Sequence, residues 1–461
     1  MDEKKNDGKH HDVNRRDFIK MGAAAGLGAA VAGIALQGCE QGSTTRSLST
    51  TPRIMKADPI DPVRIGFVGV GSRGSNHVRN ILRLDGIEIK AFCDIVPEKV
   101  ERVQQWVTDA GFPKPTAYTR GENDYVRMCE TEDLDLVIHA TPWKYHVPGC
   151  VASMQNGKHA ATEVPAALTI DGCWELVENA EKYNKHCVML ENCNYGRAEL
   201  MNLNMVRHGV YGELIHGQGG YCHDLRNMKL GGGEVEKWRV EYSIKDNGNL
   251  YPTHGLGPIA NCMNINRGDR FNYLVSMSGI ARGLHDYAVE KLGPDSKFAN
   301  TKFALGDVNV SLIKTMKGLT ITLYHVTDLA RPYSRINMIE GVKAISKSYP
   351  DLIYIEGKSP FDQWEPLDNY SSEYEHPLWR RIGELAKGSG HGGMDFILDY
   401  RLIQCLRKGT PTDMDVYDAA ALSVIIEMSE ISVANKCQAV DFPDFTRGMW
   451  ETREPLGIVE A

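Results

Sequence analysis

A chain of 461 residues is longer than one ordinary hydrophobic core supports, so two domains are expected. With 42% apolar and 24% charged residues, its composition is that of a soluble globular protein and excludes a disordered or membrane-embedded chain. A formal charge of −8, with no long run of Lys or Arg, argues against nucleic acid as a partner.

Near its N-terminus the chain carries Arg15-Arg16-Asp17-Phe18-Ile19-Lys20, a twin-arginine pattern with Asn14 where Ser or Thr is commoner. The small, apolar run Met21 to Leu36 follows, too short to span a bilayer well. Residues 1–38 therefore read as a signal peptide for the twin-arginine export machinery, outside the fold. Leu36-Gln37-Gly38-Cys39 resembles a lipoprotein box with Cys39 as the acylated residue, although Gln37 is unusual there. The expected location is the periplasm, free or lipid-anchored at Cys39. A Ser/Thr-rich stretch follows, and residues 39–60 are expected to form a flexible linker. The 11 cysteines are scattered, with no C-x-x-C and no zinc spacing, so buried free thiols are expected and no metal.

A β-branched run from Val63 to Val70 leads into Gly69-x-Gly71-x-x-Gly74, a helical stretch, and a second apolar strand ending at Asp94. Strand, glycine turn, helix, strand and terminal acid together mark a dinucleotide cradle. Glycine lets backbone approach the pyrophosphate, and the helix N-terminus stabilises its charge. Asp94 would hydrogen-bond the adenosine ribose and repel a 2′-phosphate, which favours NAD over NADP; Arg73 in the loop slightly weakens that preference. The alternation continues through "DLDLVIHATP", "KYHVPGCVASMQNG", "KHAATEV", a helix from Gly172 to Lys185 and "HCVMLENCN". This predicts a Rossmann doubly wound parallel sheet over 61–190. Its ligand loops would be Trp143-Lys144-Tyr145-His146, Glu163-Val164-Pro165 and Glu191-Asn192.

Beyond it, "LIHGQGGYCHD", "YLVSMSGIARGL", "DVNVSLIKTMKGLTITLYHVTD" and "RINMIEGVKAISKS" are β-rich runs split by turn residues. They predict a substrate-binding α+β domain over 191–375. Pro and Gly around His254 in "LYPTHGLGP" argue for a loop there. Residues 376–461 form an expected C-terminal helical segment packing on both domains. Its amphipathic helices are "MDFILDYRLIQCLRKG", ending at Gly409, and "DVYDAAALSVIIEMSEISVANK", ending near Asn435.

The first domain resembles the Gfo/Idh/MocA nicotinamide-dependent sugar and polyol oxidoreductases. That resemblance implies an open, mainly antiparallel sheet in the second domain. Many members carry Glu-Lys-Pro at the end of the fifth strand, with the lysine near the reacting hydroxyl. Here the triplet is Glu163-Val164-Pro165, so another acid/base is needed. "GVGSRG", "ATPWKYH", "TEVPAALT", "ENCNYGR", "GGYCHDLR", "KWR", "NLYPTHGLGP" and "ARPYSR", in that order, resemble glycoside hydrolase family 109.

That resemblance implies an NAD-dependent α-N-acetylgalactosaminidase acting on glycans with terminal α-N-acetylgalactosamine. The sugar's C3 hydroxyl is oxidised, the C2 proton is removed, and the C1 substituent is eliminated. Water then adds, and the hydride returns to C3. Alongside Gly69, Gly71 and Gly74 of the cradle, the cofactor contacts it implies are Ser72, Arg73, Asp94, Trp143, Lys144, Tyr145, His146, Glu163, Val164 and Asn192. Tyr221, Arg239, Tyr251, Pro252, Thr253, His254 and Tyr333 would line the sugar pocket.

His254 is the first acid/base candidate, because an imidazole titrates near neutral pH. Tyr221 is the second, with Tyr251 beside it, and Arg239 could help a tyrosine ionise. Asp224 could be one of the two carboxylates of a conventional glycosidase. His146 and Trp143 read as cofactor-wall packing. Export fits a reaction that returns its hydride in every turnover, since released NADH would find no partner outside. Two other readings stay open: an exported NAD(P)-dependent sugar oxidoreductase, and a non-enzymatic sugar-binding lipoprotein. The sequence leaves a homo-oligomer open.

Overall fold

The computed structural model describes residues 51–231 and 238–459. The twin-arginine stretch, Cys39 and linker residues 39–50 lie outside the described residues.

Six short strands form the first sheet: β1 (Val63–Val68), β2 (Ile87–Cys93), β3 (Thr116–Tyr118), β4 (Leu136–His139), β5 (His159–Thr162) and β6 (Cys187–Met189). They lie in the order 3-2-1-4-5-6, and every pair is parallel. β4, β5 and β6 are buried at every residue, as strands covered by helices on both faces must be. The strand order reverses between β1 and β4, which opens a crevice at their carboxyl ends.

Nine strands form the second sheet: β7 (Leu214–Cys222), β8 (Phe271–Ser278), β9 (Asn309–Thr315), β10 (Thr320–Val326), β11 (Met338–Gly341), β12 (Ala344–Lys347), β13 (Leu352–Ile355), β14 (Glu365–Pro366) and β15 (Val440–Asp441). Their order is 14-13-12-11-7-10-9-8-15. Only β7 and β10 pair in parallel; the other pairs are antiparallel. β9 alternates buried and open positions, so one face of the sheet meets the core. Helices Thr253–Cys262 and Ile425–Ala434 pack against β7 and β8 respectively.

Three expectations need correction. Residues 51–60, assigned to the flexible linker 39–60, are docked on the fold. Met55 is 3% exposed, the Tyr417 hydroxyl bonds both the amide and the carbonyl of Arg53, and the Ile60 amide donates to Leu406. Apolar anchoring and backbone pairing override the polar composition. The stretch "DVYDAAALSVIIEMSEISVANK" forms two helices, Val416–Ser423 and Ile425–Ala434, rather than one.

The third correction places His254 on a helix. Thr253–Cys262 is helical despite Gly255, Gly257 and Pro258. The glycines serve close approach rather than chain reversal. A Cβ on Gly255 would lie 2.1 Å from the Gly220 amide, and one on Gly219 would lie 2.1 Å from the Gly255 carbonyl. Helix and β7 thus touch backbone to backbone.

Candidate active site

The glycine turn ends β1 and opens helix Ser72–Ile81. Gly69 has φ of +82°, and a Cβ on Gly74 would fall 1.9 Å from the Gly69 carbonyl oxygen. A Cβ on Gly71, by contrast, would meet no atom within 4 Å. Two glycines therefore close the turn tightly, while the third leaves open space above it. That is the shape a pyrophosphate cradle requires. Asp94 directly follows β2 and accepts from the amides of Val70 and Val96, both at 2.9 Å. It is tied to the turn and keeps oxygen lone pairs for a ribose. Ser72 is exposed at the start of the helix.

Arg73 bridges two acids, Glu163 and Asp395, at 2.7 Å each. His77 lies between Glu163 at 3.0 Å and Asp399 at 2.7 Å. Burial alone would push the His77 imidazole down, but Asp399 and Glu163 raise it to about 10. Burial likewise opposes ionisation of Glu163 and Asp395, yet Arg73 and the histidines beside them hold both well below the usual carboxylate range. Asn192 donates to Asp395 at 2.6 Å, which joins the end of β6 to this network. Asp395 and Asp399 were not apparent in the sequence, because helix Met394–Lys408 is remote along the chain. Val164 is 3% exposed, so position 164 carries packing and no ammonium.

Trp143 joins the cofactor side to the second sheet. Its ring lies 5.9 Å from that of Tyr251 and 4.9 Å from that of Trp238. The Arg239 guanidinium sits over three rings, 5.0 Å from Trp143, 4.7 Å from Trp238 and 5.3 Å from Tyr251. Lys144 is exposed and Tyr145 half-buried, whereas His146 is buried between the carbonyls of Pro165 and Thr141. Burial lowers the His146 imidazole. A cavity of about 20 Å³ beside Arg239 is lined by Trp143, Tyr221, Lys229, Tyr251 and His325, enough for one water-sized molecule.

His254 stands beside this aromatic wall, 4.9 Å from the ring of Tyr251 and 5.5 Å from that of Tyr221. Its Nδ1 meets both oxygens of Glu191, at 2.8 and 2.9 Å. A glycine again permits close approach here: a Cβ on Gly257 would lie 2.6 Å from Asn194 Oδ1 and 3.1 Å from Glu191 Cγ. Burial of Glu191 works against its ionisation, but His254 and the Cys193 amide keep it below the ordinary carboxylate range. Glu191, Cys193 and His254 place ligand-type atoms within 4.8 Å of one another. The Glu191 oxygens are already engaged by the imidazole and the Cys193 amide.

Tyr221, Tyr251 and Tyr333 form an aromatic cluster beside His254. Tyr251 and Tyr221 rings are 4.4 Å apart, and Tyr333 lies 6.2 Å from Tyr221. Pro252 and Thr253 are buried at the start of the His254 helix. Burial pushes the Tyr251 phenol well above its usual value despite Arg239, so the expected help toward ionisation is outweighed. Arg335 donates to the Tyr333 hydroxyl at 3.2 Å and pairs with Glu199. The next residue, Ile336, has φ of +66°, which costs a β-branched residue of order 1–3 kcal/mol. Asp224 binds Arg226 through two hydrogen bonds of 2.8 and 2.9 Å in its own turn, so it is engaged locally. His223, two residues beyond Tyr221, shares a hydrogen bond of 3.1 Å between its Nδ1 and the Tyr221 hydroxyl. The two-residue strand period was the signal that could have found it.

A family model described as the C-terminal domain of glycosyl hydrolase 109 matches residues 195–452. The chain belongs to glycosyl hydrolase family 109. Residues 63–191 of this family-109 chain match the oxidoreductase-family NAD-binding Rossmann fold, and residues 12–32 match a twin-arginine pathway signal sequence. A family 109 protein of Shewanella pealeana is 45% identical over 454 residues, 97% of this chain and 99% of that protein. Another from Shewanella sp. (strain MR-7) is 46% identical over 464 residues, 98% of this chain and 100% of that one.

Among solved structures, levoglucosan dehydrogenase with NADH and L-sorbose superposes with a TM-score of 0.65 at 17% identity, over 83% of this chain and 100% of that one. An inositol dehydrogenase homolog with NAD+ from Azotobacter vinelandii gives 0.62 at 18% identity, over 85% and 99%. These likenesses establish the fold. The family-109 chain is an exported, NAD-dependent enzyme, and its first domain is the NAD-binding one. No helix among the described residues is long and apolar enough to cross a membrane. The ten described cysteines are free, nine of them buried.

Proposed function

We propose that the enzyme hydrolyses terminal α-N-acetylgalactosaminides with no net oxidation or reduction. The observation that carries this reading is the pairing of the buried Glu191 with the half-buried His254 beyond the last strand of the NAD-binding sheet, with valine instead of lysine at position 164. Bound NAD supplies a reversible hydride acceptor beside the sugar ring. The glycine turn, Asp94 and the Trp143 turn would hold it.

The chain's own residues then have two tasks. Tyr251, Tyr333 and Arg239 hold the sugar against an aromatic wall that also limits water. His254 moves a proton: with Nδ1 held by Glu191, Nε2 is the nitrogen left to take and return one. The Glu191 carboxylate stabilises the imidazolium that forms, as a buried acid beside a catalytic histidine does. The choice of N-acetylgalactosamine follows from the likeness of the pocket motifs to those of the family. Export supports redox neutrality, since an enzyme that restores every hydride needs no external partner.

The test uses p-nitrophenyl α-N-acetylgalactosaminide deuterated at C2. Release of nitrophenol with loss of the label to ordinary water is expected. Sugar that keeps all its label would overturn the elimination route. Accumulation of free NADH with an oxidised sugar would favour an exported sugar oxidoreductase.

A further inference from the structure

A glycoside has two parts, the terminal sugar and the group it is cut from, and the residues described so far serve only the first. We propose that Tyr349 is the platform of a second subsite, on which the sugar next to the terminal N-acetylgalactosamine stacks. This inference rests on the glycosidase reading and names the class of aglycone, a second pyranose.

An enzyme that removes a terminal sugar holds it at the buried end of its site, and the rest of the glycan extends toward solvent. A row of tyrosines follows that course. The rings of Tyr251 and Tyr221 lie 4.4 Å apart, those of Tyr221 and Tyr333 6.2 Å, and those of Tyr333 and Tyr349 5.8 Å. Exposure rises along the row: Tyr251 and Tyr221 are buried, Tyr333 is half-buried, and Tyr349 is 41% exposed. The row starts beside Trp143 and His254 and ends in solvent.

The outermost ring is held in place by its surroundings. Tyr349 lies between β12 and β13 with φ of +65°, a left-handed conformation that favours glycine and disfavours a residue with a Cβ. Ile336 and Asn337, between Tyr333 and β11, are left-handed as well, with φ of +66° and +46°. Such strain persists only where the surrounding structure enforces it, and it gathers at functional sites. Here the Ser348 amide donates to the Ile336 carbonyl at 3.0 Å and ties the two segments together. Arg335 joins the rings themselves. Its guanidinium lies 5.7 Å from the ring of Tyr333 and 5.5 Å from that of Tyr349, and it pairs with the buried Glu199. That packing fixes the Tyr349 ring and still leaves part of it open. The C–H face of a pyranose is apolar and packs on an exposed aromatic ring, while its hydroxyls stay in water.

The experiment compares wild type, Tyr349→Phe and Tyr349→Gly on two substrates. One is a disaccharide of α-N-acetylgalactosamine linked to galactose; the other is α-N-acetylgalactosaminyl fluoride, whose leaving group is too small to reach the ring. Glycine suits the left-handed backbone, so Tyr349→Gly removes the ring without straining the chain. It is expected to lower kcat/KM for the disaccharide at least ~10-fold and to leave the fluoride within about twofold of wild type. Tyr349→Phe keeps the stacking face and should cleave both substrates as wild type does. Equal losses on the two substrates would mean that the ring only supports Tyr333, which overturns the subsite. So does disaccharide cleavage unchanged in Tyr349→Gly. If that variant does not fold, saturation-transfer NMR of wild type decides, with a disaccharide whose terminal sugar lacks the C3 hydroxyl and so is not cleaved. Transfer to the galactose ring protons is expected, and transfer confined to the terminal sugar overturns the subsite. Wild type that cleaves neither substrate overturns the glycosidase reading itself, and the subsite with it.

Discussion

The carboxylate of Glu191, wholly buried, meets Nδ1 of His254 with both of its oxygens, although the two residues are 63 positions apart in the chain. Glu191 ends the NAD-binding sheet and His254 opens a helix on the second sheet, so the pair joins the two layers at the pocket. Removing the acid leaves an imidazole without its orienting charge. Glu191→Gln is expected to lower kcat by ~10- to 100-fold, and His254→Ala by ~100- to 10,000-fold. KM for the glycoside should change far less than kcat in steady-state assays. Equal losses in both constants would mean the pair binds the sugar rather than moving a proton.

The cradle allows two glycine variants to be told apart. Gly71→Ala puts a methyl into space empty of protein atoms, so the fold should keep its melting temperature. The methyl stands where a pyrophosphate must approach, and NAD retention should fall at least ~10-fold. Gly74→Ala drives a Cβ to 1.9 Å from a backbone oxygen and should lower the melting temperature as well. Adenine absorbance of the purified protein, read beside calorimetry, separates the two.

The buried charges around Arg73 predict a stability effect. Asp399→Asn removes one of the two acids that hold the His77 imidazolium, and breaking such a buried pair costs about 3–5 kcal/mol. Chemical denaturation of NAD-stripped protein should show the loss, so that cofactor binding does not mask it. A change under 1 kcal/mol would mean that His77 is neutral.

Acid should destabilise the protein more steeply than base. Burial lowers His139, His159 and His325 to about 3, and His186 and His376 to about 4. Each takes up a proton in the unfolded chain near pH 6.5 but not in the folded one until far lower. Stability therefore falls as pH drops from 6.5 toward 4, by up to about 1.4 kcal/mol per pH unit for each group. His77 works in the opposite sense: its contribution is complete below pH 6.5 and is lost as pH rises toward 10. Melting temperature should peak near pH 6.5. His186→Phe, which removes two buried ring nitrogens without hydrogen-bond partners, should flatten the acid limb. An unchanged limb would assign it to carboxylates alone.

Legibility in the sequence followed the range of each interaction. The first sheet was readable because its signals are local: β-branched runs, one glycine turn and an acid at the end of β2. The loops at the strand ends were local for the same reason: Trp143 lines the cavity beside Arg239, and Glu163 and Glu191 follow β5 and β6. His254 was singled out on its chemistry, while its helix was misread as a loop. Gly255 and Gly257 look like breakers along the chain, and only the packing of β7 and Glu191 shows what they accommodate. Asp395 and Asp399 were invisible because their partners, Arg73 and His77, lie 322 positions away. Arg335 was missed because neither Glu199 nor the left-handed Ile336 leaves a mark in the local pattern.

The backbone-to-backbone seam between β7 and the His254 helix limits how this enzyme can be redesigned. Side-chain contacts can be trimmed or padded by a methyl at a time, but a seam made by Gly219, Gly220 and Gly255 offers no smaller residue to try and no room for a larger one. New specificity has to be sought around Tyr333, whose ring lies 5.8 Å from that of the exposed Tyr349, while the spacing that delivers the imidazole stays as it is.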